Sequence, residues 1–123
     1  MAVGQLRTVV VDCLEPAPLA EFWSALLGLA VRFAEPEWVA LDPLGAGLPR
    51  LAFQRVPESK DTKNRLHLDV WVEDIEAATS VAEALGATRV GQLVHDEAEP
   101  FQVLLDPVGN EFCFVHIEGS TGP

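Results

Sequence analysis

The residues best equipped for chemistry in this chain lie in one short run, Arg65-Leu66-His67-Leu68-Asp69-Val70-Trp71-Val72. Its alternation predicts a β-strand. Leu66, Leu68, Val70 and Val72 point to one face, and His67, Asp69 and Trp71 to the other. The apolar set suits burial beneath a helix. The second set puts an imidazole, a carboxylate and an indole on one side of one strand, which suits a pocket. The imidazole has two readings: a metal ligand or general base, or a histidine simply hydrogen-bonded in a polar cavity. Asp69 can orient that imidazole, or act as a base where desolvation raises its pKa. Trp71 can wall a cavity and stack on a flat ligand, and Trp38 is a second indole of this kind.

These side chains need a scaffold, and the flanking pattern supplies one. Leu6 to Asp12 alternates as a first strand. Glu15-Pro16-Ala17-Pro18 opens a helix, because proline is tolerated where N–H groups lack intrahelical partners. Leu19, Phe22, Trp23, Leu26 and Leu27 form its buried stripe, and Gly28 ends it. Strands are predicted at Leu29–Phe33, Trp38–Leu41 and Leu51–Val56, with turns at Glu35-Pro36 and Asp42-Pro43-Leu44-Gly45. Residues 58–64 are polar, without an apolar period, and read as a linker. After the His67 strand, Asp74 caps a second helix with Ile75, Ala78, Ala82 and Leu85 as its stripe, ending at Gly86. Strands follow at Thr88–Val94, Phe101–Leu105 and Glu111–Ile117, and residues 119–123 read as a tail.

The order repeats, and so do residues. Val39-Ala40-Leu41-Asp42-Pro43-Leu44-Gly45 parallels Val103-Leu104-Leu105-Asp106-Pro107-Val108-Gly109, and Leu26-Leu27-Gly28 parallels Ala84-Leu85-Gly86. The chain therefore reads as one α+β domain of two βαβββ modules, residues 5–57 and 65–118. One face of each sheet lies under its helix, and the other faces must meet or enclose something.

Composition narrows the function. A formal net charge of −11, with only eight Lys and Arg, argues against nucleic acid and anionic membrane, since a phosphate surface rewards clustered cations. Cys13 and Cys113 do not make a secreted disulfide framework. Neither a signal peptide nor an apolar run long enough for a membrane span is present, so a soluble cytoplasmic protein is expected. Phosphate loops, nucleophile elbows, Cys-x-x-Cys and His-Glu-x-x-His motifs are also missing. His95 and His116 have no partner at useful spacing and are assigned to no site.

The doubled βαβββ order resembles the glyoxalase and bleomycin-resistance superfamily, the vicinal oxygen chelate proteins. So do Leu19-Ala20-Glu21-Phe22-Trp23 with Leu27-Gly28, the strand from His67 to Val72 leading into Asp74, Leu85-Gly86-Ala87, and Asp106-Pro107-Val108-Gly109-Asn110-Glu111. The resemblance implies two curved sheets pairing as a half-barrel cup, a small-molecule or metal site inside, and a homodimer. It implies metal ligands on the first and last strands of each module, which by position are Thr8, Gln54, His67 and Cys113. His67 matches the family in type and place. Cys113 stands where the family places a glutamate, and Glu111, two residues earlier on the same face, is the alternative unless it faces solvent in the turn. Asp12 is the same-face alternative to Thr8, and it shares the inferred cup face as a candidate base. His, Gln and Glu would suit Zn²⁺, Fe²⁺, Mn²⁺ or Ni²⁺, whereas a Cys ligand shifts the choice toward Zn²⁺. Two functions follow: a metal-assisted lyase, isomerase or dioxygenase acting on a small oxygenated metabolite, or a metal-free protein that sequesters a small molecule, as the drug-binding members do. An acidic cup lined by tryptophan would suit a cationic aromatic ligand.

Overall fold

A computed structural model of the chain describes residue 2, residues 5–95 and residues 100–116. The tail at 119–123, Ile117 and the acidic stretch at 96–99 lie outside the described residues. The elements are β1 (Thr8–Cys13), α1 (Pro16–Leu27), β2 (Val31–Glu35), β3 (Trp38–Leu41), β4 (Arg50–Arg55), β5 (Leu68–Trp71), α2 (Ile75–Leu85), β6 (Thr88–Val94), β7 (Phe101–Leu105) and β8 (Glu111–Val115). They form two βαβββ modules in compact units, Met1–Ser59 and Lys60–Pro123. The first sheet has the order β1-β4-β3-β2 and the second β5-β8-β7-β6. In each, the module's first and last strands pair in parallel and the other pairs are antiparallel. Among the described residues, no helix is long and apolar enough to cross a membrane.

In the first unit α1 packs on β2, β3 and β4. Leu19, Ala20, Phe22 and Trp23 are its buried residues beside Pro16, and the Phe22 and Trp23 rings meet edge to face at 5.4 Å. Leu26 and Leu27 are only half-buried, so the stripe fades before the helix ends. Gly28 closes α1 in the left-handed region at φ 69°, and both its N–H and that of Leu29 donate to Ser24 O. Leu29 is thereby used by the helix end. This is why the next strand starts at Val31 rather than at the predicted Leu29.

In the second unit α2 packs on β6, β7 and β8. Asp74 accepts a 3.1 Å bond from Ala77 N, the predicted cap. We expect Asp74→Ala to lower stability by about 0.5–2 kcal/mol in urea denaturation, without shifting any cavity resonance. The buried stripe differs from the prediction: it is Ile75, Thr79 and Ala82, with Leu85 38% exposed. Thr79 can be buried because its hydroxyl donates to Ile75 O at 2.7 Å. Beneath α2 lie Leu104, Phe112 and Phe114, together with Gln102. The Gln102 amide donates to Val90 O, Gly91 O and Val103 O, satisfying carbonyls beside the register shift in β6.

The His67 strand is shorter than its alternation predicts, running from Leu68 to Trp71. Leu66 is 85% exposed and is not part of the buried face. The reason is local. The N–H of Glu111 donates to the Asn64 side chain, and the N–H of Asn64 donates to the Glu111 carboxylate. Side chains there replace the ladder that a longer strand would need, so pairing with β8 begins at Leu68 opposite Phe112.

Candidate functional site

Register places the second module's candidate residues on the sheet face opposite α2. Asp69 pairs with Cys113, and Cys113 pairs with Val103. Trp71, Val115 and Phe101 form the next row, and Glu111 pairs with Leu105 at the strand's other end. Partners in register project to the same side. His67 lies just before β5, two residues from Asp69, and by alternation shares this side. A cavity of about 440 Å³ opens here, lined by Lys63, His67, Asp69, Phe101, Val103, Glu111, Cys113 and Val115. That volume is in the range of small-molecule pockets. Its lining is divided: Phe101, Val103 and Val115 are apolar, while Lys63, His67, Asp69 and Glu111 carry the polar groups.

His67 Nε2 lies 3.3 Å from Asp69 Oδ1, both side chains being just over half exposed. The donor atoms of His67, Asp69 and Cys113 all lie within 4.8 Å of one another. Burial pushes the Cys113 thiol pKa above its ordinary 9.0, the Asp69 charge raises it further, and Lys63 acts in the opposite direction. The thiol is therefore protonated near neutral pH and is no nucleophile unaided.

Glu111 is differently employed. Its Oε2 accepts from Asn64 N at 3.0 Å, its Oε1 lies 3.3 Å from Lys60 Nζ, and its side chain is 15% exposed. Asn64 also donates to Asn110 Oδ1 at 3.2 Å. Burial raises the Glu111 pKa, but the N–H groups of Asn64 and of Glu111 itself, with Lys60, outweigh it and hold the carboxyl below its ordinary 4.5. Residues 60–64 are thus tied to the start of β8, and this segment brings Lys63 to the cavity.

Trp71 shares the sheet face but is not among the residues lining the cavity. Its indole tilts against the His116 ring, centroids 5.6 Å apart, and His116 Nδ1 lies 2.8 Å from Val72 O. Trp71 Nε1 is buried without a hydrogen-bond partner among the described residues. In the first unit, Asp12, Gln54 and Trp38 stand in one row across β1, β4 and β3. Asp12 and Gln54 are exposed and Trp38 is half-buried. Thr8 lies further down the same face, opposite Arg50.

Of the candidate residues, the second unit brings His67, Asp69, Glu111 and Cys113 to one cavity. Sequence reasoning missed Phe101, Val103 and Val115, whose spacing in two strands would have shown the apolar wall once β7 and β8 were paired. It also missed Lys60, Lys63 and Asn64. Their loop has no periodicity, and only the fold shows where it lies.

The profile of the glyoxalase-like domain matches residues 8–115. No curated protein matches the sequence. Among solved structures, a glyoxalase/bleomycin resistance protein/dioxygenase family enzyme from Burkholderia phytofirmans PsJN is similar, with TM-score 0.78 and 19% identity over 93% of this chain and 99% of that one. A glyoxalase-related enzyme from Fulvimarina pelagi has TM-score 0.75 and 15% identity, covering 98% and 96%. The oxidase ChaP-H2 has TM-score 0.71 and 17% identity, covering 98% and 100%. At these identities the likeness is one of fold.

Proposed function

The chain belongs to the glyoxalase-like domain family, and from this we propose that its second module binds a small oxygenated molecule and acts on it by metal-assisted lyase, isomerase or dioxygenase chemistry. The carrying observation is the divided lining of the cavity. Phe101, Val103 and Val115 offer a wall to a carbon skeleton, and Lys63, His67, Asp69 and Cys113 offer donors and acceptors to its oxygens. The Lys63 ammonium favours a ligand oxygen bearing negative charge. The residues present suit a divalent ion, since imidazole, carboxylate and thiol converge there. When bound, such an ion would polarise a substrate oxygen as a Lewis acid. The two cysteines form no disulfide, and β2 exposes Val31 and Phe33; these features support a cytoplasmic homodimer as the setting.

A second reading is metal-free sequestration. Glu111, one of the four candidate ligands, is already committed to Lys60 and Asn64, which favours it. His67, 3.3 Å from Asp69 through Nε2, still has Nδ1 to offer a ligand hydroxyl.

The test is a binding screen of hydroxy acids, keto acids, catechols and aromatic cations, read by amide and methyl NMR. At least one class should shift Phe101, Val103 and Val115 together. Val103→Arg, which puts a guanidinium into the wall, should weaken that ligand at least about tenfold, while Val81→Arg on exposed α2 should not. Equal binding by Val103→Arg, or no binding by any class, would overturn the reading. Binding without turnover, with or without added metal, would favour sequestration.

A further inference from the structure

We propose that His67, Asp69 and Cys113 form a divalent-metal site contained within the second module. The inference rests on the functional site placed above, but not on any organic ligand being bound. It departs from the ligand set that the family resemblance implies. That set draws on both modules and includes Gln54, with Glu111 or Cys113. Glu111 cannot serve without giving up Lys60 on one oxygen and the Asn64 amide on the other. The Asp69 carboxylate contacts His67 itself, a member of the same site, at 3.3 Å.

The geometry suits the exchange. Asp69 and Cys113 are register partners on adjacent strands, and His67 precedes Asp69 by two residues on the same side. The 3.3 Å between His67 Nε2 and Asp69 Oδ1 matches the edge of a zinc tetrahedron, roughly 3.3–3.4 Å for bonds near 2.0–2.1 Å. All three donor atoms lie within 4.8 Å of one another, so side-chain rotation has about 1 Å to close. His67 and Asp69 are just over half exposed, so water screens their contact and they give up little by turning to an ion.

The donor set predicts the ion. One nitrogen, one oxygen and one sulfur favour Zn²⁺, or Co²⁺ as its spectroscopic substitute, over Mn²⁺ and Mg²⁺, which prefer all-oxygen shells. Three protein ligands with one vacant position is the arrangement of a catalytic site, whereas a structural zinc is closed by four.

Untagged full-length protein, stripped with a chelator, should be titrated with Co²⁺ and followed by absorption. One ion should bind per chain, giving a thiolate-to-cobalt charge-transfer band in the near ultraviolet and tetrahedral bands in the visible. Zn²⁺ should displace it, and Mn²⁺ should bind at least about tenfold more weakly than Zn²⁺. Cys113→Ser should remove the charge-transfer band, and Asp69→Asn should weaken Zn²⁺ at least about tenfold. Gln54→Ala should leave both readouts as they are. Circular dichroism confirms that each variant is folded. A band that survives Cys113→Ser, affinity indifferent to Asp69→Asn, dependence on Gln54, or no binding at millimolar Co²⁺ would each overturn the proposal. Loss of the metal site with the NMR ligand shifts retained would leave the small-molecule site standing. Metal binding with no organic ligand found would do the reverse.

Discussion

Asp106→Ala is expected to lower stability by about 2–4 kcal/mol in urea denaturation. The carboxylate is 3% exposed and accepts from Val108 N at 3.1 Å, Asn110 N at 2.9 Å and Asn110 Nδ2 at 3.1 Å. Around it the backbone closes the β7–β8 turn: Gly109 N donates to Asp106 O and Asp106 N to Asn110 O. Gly109 sits at φ 93°, which its missing Cβ allows. Alanine would leave three donors without their acceptor, each worth about 1 kcal/mol net and more where water cannot replace it. Asp106→Asn keeps one oxygen for the two backbone amides and should cost about 1–2 kcal/mol. The effect should reach the cavity, because Asn110 also accepts from Asn64 and precedes Glu111. A change below about 0.5 kcal/mol, the level of an ordinary surface substitution, would show that the turn holds without its carboxylate.

The second large effect is expected at Glu111. Glu111→Ala removes the acceptor of Asn64 N and the partner of Lys60 together, and should cost about 2–3 kcal/mol at neutral pH. Glu111→Gln retains an oxygen for Asn64 and loses only the charge, so it should cost about half as much. The pH dependence follows from the lowered pKa. The folded protein holds this carboxyl in its charged form more firmly than the unfolded chain does. The stabilisation is therefore complete above the ordinary 4.5 and is lost as pH falls through the lower folded value. Stability measured against pH should show wild type and Glu111→Gln well separated at pH 7 and converging in the acid range. A gap constant down to the acid limit would mean that the charge contributes nothing. Because residues 60–64 are held by this carboxylate, Lys63 resonances should also broaden in Glu111→Ala.

The two Asp-Pro-x-Gly turns show where sequence and structure part. At residues 106–109 the motif closes a tight turn and its aspartate is buried. At residues 42–45 the same motif opens a longer loop: Leu44 N donates to Pro49 O, and Asp42 pairs with Arg32 at 3.0 Å on the surface. The identical pattern was legible in both places. The different use was not, because the second module returns at once into β8 while the first continues through Gly45–Pro49 before β4.

The strand of His67 shows the same division. Period-two alternation, glycine and proline punctuation, and the internal repeat determined the doubled βαβββ order and placed His67, Asp69 and Trp71 on one side of a strand. These are properties of neighbouring residues, and local sterics suffice to express them. Which of those side chains share a site depended on partners far along the chain. Pairing with β8 put Cys113 opposite Asp69, and the Trp71 indole lies against the His116 ring. Asn64 and Lys60 took Glu111 for themselves. Such pairings join residues about 45 positions apart, and no local period records them. The sequence alone put His67 and Asp69 on one side of a strand, and only the tertiary structure set Cys113 beside them and tied Glu111 to Lys60 and Asn64.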